Sequence, residues 1–131
     1  MNITPLKTND VSVKGASKTL VYGLHGSGKT TQCANYAKAF GKGIILSGES
    51  GLSSISDTEI DYLPFTTFDR TANIGHSFRD LMKYVASAEF KKQGYKWIAI
   101  DSATELSQKC FADVEAELGD QKNGFEKWGL Y

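Results

Sequence analysis

Apolar residues along this chain follow two patterns, short runs and longer stretches with helical spacing. The short apolar and β-branched runs predict strands at Lys18–Tyr22, Ile44–Leu46, Leu63–Phe68 and Trp97–Ile100. The stretches with helical spacing predict helices at Lys29–Phe40, from Phe78 to about Phe90, and at Thr104–Leu118. Strands and helices alternate, and two of the runs are continuously apolar. The pattern therefore predicts an α/β fold with a parallel sheet flanked by helices.

Other parts of the chain give weaker patterns. Residues 1–16 predict a loose lead-in with a short strand near Val11–Val13, and residues 17–131 predict one domain. Residues 53–62 are polar and predict no clear element. Pro64 lacks an N–H group, which limits its strand to an edge or an early position. After a polar break at residues 120–124, the chain carries the apolar residues Phe125, Trp128, Leu130 and Tyr131.

The stretch between the first predicted strand and the first helix carries the clearest chemistry. It runs Gly23-Leu24-His25-Gly26-Ser27-Gly28-Lys29-Thr30 and fits the phosphate-loop pattern G-x-x-x-x-G-K-T. The glycines let backbone N–H groups turn toward phosphate oxygens, and the helix start adds its positive dipole end. Lys29 can reach the β- and γ-phosphates, and the Thr30 hydroxyl can ligate Mg²⁺. We predict that the stretch from Gly23 to Thr31 binds the nucleotide. His25 and Ser27 occupy variable positions, and we predict no catalytic role for them.

Two carboxylates follow predicted strands. Asp101 ends the strand Trp97–Ile100, where a carboxylate can hold Mg²⁺, usually through water. It can instead cap the following helix, a role open also to Ser102 or Thr104. Glu49 follows the strand Ile44–Leu46, and at the carboxyl end of a parallel sheet it would face the nucleotide crevice. There it can polarise a water for attack on the γ-phosphate, or it is simply a solvated loop residue.

Composition narrows the classes of function. The 131 residues are 40% hydrophobic and 23% charged, which suits one globular domain, and the formal net charge is zero. Zero charge excludes a global basic field for nucleic acid or membrane and leaves a local patch open. Cys33 and Cys110 have no C-x-x-C neighbourhood, which favours reduced core thiols in a cytosolic protein. No signal peptide or membrane span is predicted, so we expect a cytoplasmic protein without a membrane partner.

Taken in order, the phosphate loop, ILSGESGL and WIAIDSATEL resemble the RecA-like ATPase core. The resemblance implies that Glu49 activates the attacking water, that Lys29 stabilises charge, and that Thr30 and Asp101 hold the metal. The strings ESGLSSI, IDSATEL and FEKWGLY are most similar to small phage-encoded nucleotide-binding proteins. Those are RecA-related ATPases of recombination and single-strand annealing. The resemblance covers the chain from about Ser17 onward.

This resemblance sets further expectations. It implies ATP and Mg²⁺ as cofactors, with single-stranded DNA and phage recombination or replication proteins as partners. It also implies a homo-oligomer of the full-length protein in the bacterial host cytoplasm. RecA-like cores insert a later strand between the phosphate-loop strand and the Asp-bearing strand. Nothing after Leu118 resembles a buried strand, so we expect the domain to be incomplete at its C-terminus and Lys18–Tyr22 not to pair with Trp97–Ile100.

Two other functions fit the phosphate loop. A nucleotide-kinase-type phosphotransferase would place the two signature strands side by side and would favour a lid with several arginines. The chain contains only Arg70 and Arg79. A non-catalytic, nucleotide-gated binding module is the second alternative. A GTPase is disfavoured, because the guanine signature N-K-x-D is missing and Asp101-Ser102-Ala103-Thr104 lacks the glycine of D-x-x-G.

Overall fold

The computed structural model of the protein describes residues 3–5, 7, 17–48 and 51–119. Its strands form one four-stranded parallel sheet in the order β3-β2-β1-β4. They are β1 (Gly43–Ser47), β2 (Asp61–Thr67), β3 (His76–Ser77) and β4 (Trp97–Asp101). The helices are α1 (Thr31–Phe40), α2 (Phe78–Val85), α3 (Ala88–Lys92) and α4 (Ala103–Leu118), with a 3-10 helix at Gly51–Ile55. The predicted α/β fold with a parallel sheet flanked by helices is confirmed.

Strand β1 forms the centre of the sheet. It pairs with β2 on one side and with β4 on the other, and all five of its residues are buried. A parallel strand with neighbours on both sides and helices over the sheet has no solvent-facing side. This position explains why Ile44, Ile45 and Leu46 are continuously apolar.

The best-packed core lies between the sheet and helices α2 and α4. Leu46, Phe65, Phe78 and Leu81 form its buried cluster, and the rings of Phe65 and Phe78 meet edge to face at 5.3 Å. Burial of four such side chains is the main apolar contribution that holds the described sheet to its helices. Leu106 of α4 packs against the same cluster.

The predicted helix from Phe78 to about Phe90 is two helices. Helix α2 ends at Val85, and the Ser87 hydroxyl accepts a hydrogen bond from the Phe90 N–H and begins α3. Serine is common at such caps because its hydroxyl can accept a hydrogen bond from a backbone N–H group at the helix start. Phe90 is buried in the new helix, where its ring contacts Tyr84 and Tyr95.

Strand β2 is longer than predicted and is not an edge strand. It begins at Asp61 and lies between β1 and β3. The ladder with β3 begins at Phe65, one residue after Pro64. Pro64 therefore faces a partner on the β1 side only, and its missing N–H group costs no hydrogen bond to β3.

The prediction of a strand at Lys18–Tyr22 is wrong. The segment has no strand hydrogen bonds, and Leu20 and Tyr22 are 80% and 86% exposed. A strand needs a neighbour for its N–H and C=O groups, and β4 pairs with β1 alone among the described strands. The helix predicted from Lys29 begins at Thr31. Predictions for Val11–Val13, Glu49 and the apolar residues after 124 lie outside the described residues.

Candidate functional site

The phosphate loop folds into a tight turn that glycine permits. The Ser27 N–H donates to the Leu24 carbonyl at 3.1 Å. Gly26 and Gly28 have φ values of 76° and 90°, which an L side chain adopts only with strain. At Gly23 an added Cβ would lie 2.6 Å from the Ser27 Oγ. Backbone geometry thus explains glycine at Gly28, a fixed position of the motif, and at Gly26, a variable one. At Gly23, the other fixed glycine, the close atom belongs to a side chain that can move.

The Lys29 side chain folds back over its own loop. Its ammonium group donates to the carbonyl oxygens of Gly23 and Leu24, at 2.9 and 2.8 Å. Those acceptors are neutral, whereas phosphate oxygens are charged and make stronger hydrogen bonds with an ammonium group. Lys29 is therefore positioned at the loop, with partners that a bound phosphate can replace.

The start of helix α1 is suited to an anion. The Thr30 side chain makes no capping hydrogen bond to the helix, and the first turn of α1 carries no acidic residue. The N–H groups at a helix start and the positive end of its dipole attract negative charge. Because Thr30 does not cap the helix, its hydroxyl is available for another partner.

That partner is Asp101. The Thr30 hydroxyl donates to the Asp101 Oδ2 at 2.9 Å, which joins the phosphate loop to the end of β4 across 71 positions of sequence. Ser102, not Asp101, caps α4 by accepting from the Glu105 N–H at 3.3 Å. Of the two alternatives for Asp101, the structure therefore has the carboxylate beside the loop and leaves capping to Ser102.

The loop after β1 approaches the same place. The Gly48 N–H donates to the Asp101 carbonyl at 2.8 Å, and an added Cβ at Gly48 would lie 2.7 Å from the Phe65 ring. Gly48 is the last described residue of this stretch. Glu49 itself lies outside the described residues, so its catalytic role stays a prediction.

The side chains at this site fit a magnesium ion with few protein ligands. A hydroxyl and a carboxylate are hard oxygen donors of the kind that Mg²⁺ prefers. In the described part of the chain, no group of three or more His, Cys, Asp or Glu residues could hold a metal ion. Thr30 and Asp101 would therefore hold Mg²⁺ together with phosphate oxygens and water, which is usual for this ion.

Cys33 and Cys110 both have free thiols and are half-buried. Burial, with a smaller contribution from the negative charge of Asp101, raises the pKa of Cys33 to about 11. Burial and the charge of Asp113 also raise the pKa of Cys110. Both thiols therefore stay protonated near neutral pH and are poor nucleophiles.

Two contacts that support the site were missed from the sequence. Tyr36 of α1 donates to the Thr19 hydroxyl at 2.8 Å, and its ring lies 6.1 Å from that of Trp97. One residue thus ties the segment before the phosphate loop to the first residue of β4. No sequence periodicity indicates this contact, because Tyr36 and Thr19 come from different elements.

The comparisons with known proteins agree with this geometry. The family model described as AAA domain matches residues 16–131, which include the phosphate loop, β1 and β4. No curated protein and no solved structure matches the chain. Across the described residues, no helix has the length and apolarity needed to cross a membrane. From the extent of the family match, the chain belongs to the AAA domain family and is a nucleotide-binding domain of the P-loop NTPase type.

Proposed function

We propose that this domain binds ATP with Mg²⁺ and serves as the ATPase module of a phage-type DNA recombination or replication protein. One observation carries the ATP and Mg²⁺ part of the proposal. The Thr30 hydroxyl meets the Asp101 carboxylate at 2.9 Å, so the two predicted metal residues lie together at the predicted phosphate site. The phage and DNA part rests on the RecA-like sequence resemblance alone.

The proposed reaction is in-line attack of water on the γ-phosphate of ATP. Glu49 would accept the proton of the attacking water, and Lys29 would stabilise the charge on the phosphate oxygens. Thr30 and Asp101 would hold Mg²⁺, which neutralises phosphate charge when bound. The side chains proposed for these roles come from three segments: Lys29 and Thr30 from the phosphate loop, Glu49 from the stretch after β1, and Asp101 from the end of β4.

ATP binding is tested with Lys29→Ala. Calorimetry with Mg²⁺ present should give a much weaker affinity for ATP and an unchanged affinity for adenosine, because only the phosphate contact is lost. Lys38→Ala, which removes an exposed lysine from the following helix α1, is the matched control and should leave ATP affinity unchanged. Equal ATP affinity in Lys29→Ala and the unaltered protein would remove Lys29 from the site.

The two carboxylates are separated by their effects on binding and turnover. Asp101→Asn should weaken the dependence of ATP affinity on Mg²⁺, because a charged metal ligand is lost. Glu49→Gln should keep ATP affinity and lower hydrolysis by about two to four orders of magnitude. Unchanged hydrolysis in Glu49→Gln would make Glu49 a solvated loop residue. If the folded protein binds ATP but never hydrolyses it, that result would favour the non-catalytic, nucleotide-gated module.

The edge of the sheet at β4 bears on the nucleotide-kinase alternative. That function expects the segment before the phosphate loop to pair with β4, and the described residues contain no such pairing. We propose instead that one further strand, from outside the described residues, lies between Lys18–Tyr22 and β4, as the RecA-like resemblance implies. Two inter-strand spacings, roughly 10 Å, are the room that such a strand needs.

Hydrogen exchange can test this additional strand. Without the further strand, amides of β4 and Lys18–Tyr22 should exchange faster than those of β1, which has ladder partners on both sides. In a preparation that contains the further strand, both flanking segments should become protected. Direct hydrogen bonds between Leu20–Tyr22 and Ile98–Ile100 in solution would contradict the proposal and restore the nucleotide-kinase alternative.

A further inference from the structure

A second cleft lies at the opposite end of the sheet from the phosphate loop. It has a volume of about 440 Å³ and borders the amino ends of β1 and β2. Its lining includes Ile44, Ile60, Asp61, Leu63, Tyr84 and Tyr95. The apolar residues lie beside three tyrosines, of which Tyr62 is the third, and one carboxylate. This composition suits a ligand with an apolar part and a hydrogen-bond donor.

The rings of Tyr84 and Tyr95 are positioned by packing against Phe90. Phe90 is buried, and it stacks on Tyr95 at 5.2 Å and meets Tyr84 edge to face at 5.3 Å. The Tyr95 hydroxyl donates to the Asp61 Oδ2 at 2.5 Å. This hydrogen bond raises the pKa of Tyr95 to about 12, so its phenol remains protonated near neutral pH. The aromatic walls and the carboxylate thus form one pre-positioned unit.

Asp61 gives the cleft its charge. One carboxylate oxygen accepts from Tyr95, and a carboxylate accepts several hydrogen bonds through its two oxygens. The neighbouring hollow of about 300 Å³ also contains Asp61, together with Glu59 and Lys42. The Lys42 ammonium lies 4.5 Å from the centre of the Tyr95 ring and donates to the Gln93 carbonyl at 2.8 Å. This corner of the molecule therefore already holds one cation against an aromatic face.

We propose that the 440 Å³ cleft binds a small organic cation, an ammonium or guanidinium group on an apolar stem. The cationic group contacts the Asp61 carboxylate, and the stem packs on Ile44 and Leu63 beside the ring of Tyr84. A metal ion is a poor match, because one carboxylate with aromatic and aliphatic neighbours offers too few oxygen ligands. The site is distinct from the nucleotide site and does not depend on the proposed ATPase function.

The test uses two probes of the same shape. Butylguanidinium carries the charge, and butylurea is its neutral counterpart. Titration of the 131-residue chain, followed by NMR, should shift the ring signals of Tyr84 and Tyr95 with butylguanidinium only. Equal shifts with butylurea, or no shifts with either probe, would overturn the proposal.

Variants then assign the cation contact. Asp61→Asn keeps the acceptor for Tyr95 and should weaken butylguanidinium binding by about ten- to a hundredfold, the range for a hydrogen bond to a charged group. Glu59→Gln makes the same charge change in the neighbouring hollow and is the matched control, with at most a small effect. Lys42→Met removes a like charge and should strengthen binding. Equal losses in Asp61→Asn and Glu59→Gln would show attraction to general negative charge and contradict a built site.

A third probe distinguishes the two possible sources of the cation, a partner protein and a free small molecule. An arginine side chain of a protein has the same chemistry as a free guanidinium compound. Tighter binding of N-acetylarginine methylamide than of butylguanidinium would support an arginine from a partner protein as the source. Tighter binding of butylguanidinium would support a free small molecule. Thermal melting of each variant checks its folding, and Tyr84→Leu provides a second loss-of-binding variant if Asp61→Asn does not fold.

Discussion

The two halves of the candidate nucleotide site differ in how the fold holds them. Strand β1 and the cluster around Leu46 and Phe65 are fully buried, with ladder hydrogen bonds on both sides of β1. The segment Lys18–Tyr22 has no ladder, and its side chains are exposed. It is held near β4 by polar contacts, through Tyr36 and through the bond from Thr30 to Asp101. Within the described residues, the carboxyl edge of the sheet is therefore built on a buried strand with two partners, whereas the segment before the phosphate loop has no strand partner.

The largest expected effect is the loss of unfolding free energy when a core side chain is truncated. Leu46→Ala should lower the free energy of unfolding by about 2–5 kcal/mol, because Leu46 is 0% exposed and its removal leaves a cavity. Leu20→Ala makes the same chemical change in a side chain that is 80% exposed, and should cost less than about 0.5 kcal/mol. Denaturant titration measures both. A similar cost for the two variants would mean that Lys18–Tyr22 is packed in solution.

A second prediction concerns the buried carboxylate of α4. Asp113 accepts hydrogen bonds from the N–H groups of Asp69 and Arg70, at 2.7 and 2.9 Å, and so ties the turn after β2 to the helix. Asp113→Ala leaves those N–H groups without their acceptor and should cost about 1–3 kcal/mol in unfolding free energy. Glu117→Ala, at an exposed position on the same helix, is the control and should be near neutral. Equal costs would contradict the role of Asp113.

A smaller effect is expected from the polar contact on the other half. Tyr36→Phe removes the hydrogen bond to Thr19 and keeps the ring beside Trp97. The free energy of unfolding should fall by no more than about 0.5–1.5 kcal/mol, because the contact is exposed. Amide exchange around residue 19 should become faster. Protection of the β1 amides from exchange should fall only as far as global stability falls. Unchanged exchange near residue 19 would show that this hydrogen bond does not hold the segment.

The smallest expected effect is at alkaline pH. The hydrogen bond from Tyr95 to Asp61 raises the pKa of Tyr95 from its ordinary value near 10 to about 12. A raised pKa means that the folded state holds the proton more tightly, so the stabilisation is fully present below pH 10 and is lost as pH rises to about 12. Unfolding free energy should fall across this range less steeply in Tyr95→Phe than in the unaltered chain. Parallel pH curves would contradict the assignment.

Part of the fold could be predicted from local pattern. The run Ile44–Leu46 predicts β1, because a strand buried on both faces has no use for polar residues. The spacing of α4 and the apolar run of β4 are equally clear. The division of α2 from α3 was missed, since it depends on whether the Ser87 hydroxyl bonds to the backbone or to water, and apolar spacing is the same in both cases.

The candidate site, like the fold, could be predicted only in part from the sequence. The sequence by itself determined the phosphate loop, because Gly28, a fixed position of G-x-x-x-x-G-K-T, and Gly26, at a variable position, allow the positive φ values of its backbone. It also placed Asp101 at the end of an apolar strand. Only the tertiary structure decided that Asp101 meets Thr30 while Ser102 caps α4, since both residues can cap a helix. It also decided that Lys18–Tyr22 is not a strand, because strand formation depends on a hydrogen-bonding neighbour that local sequence does not provide.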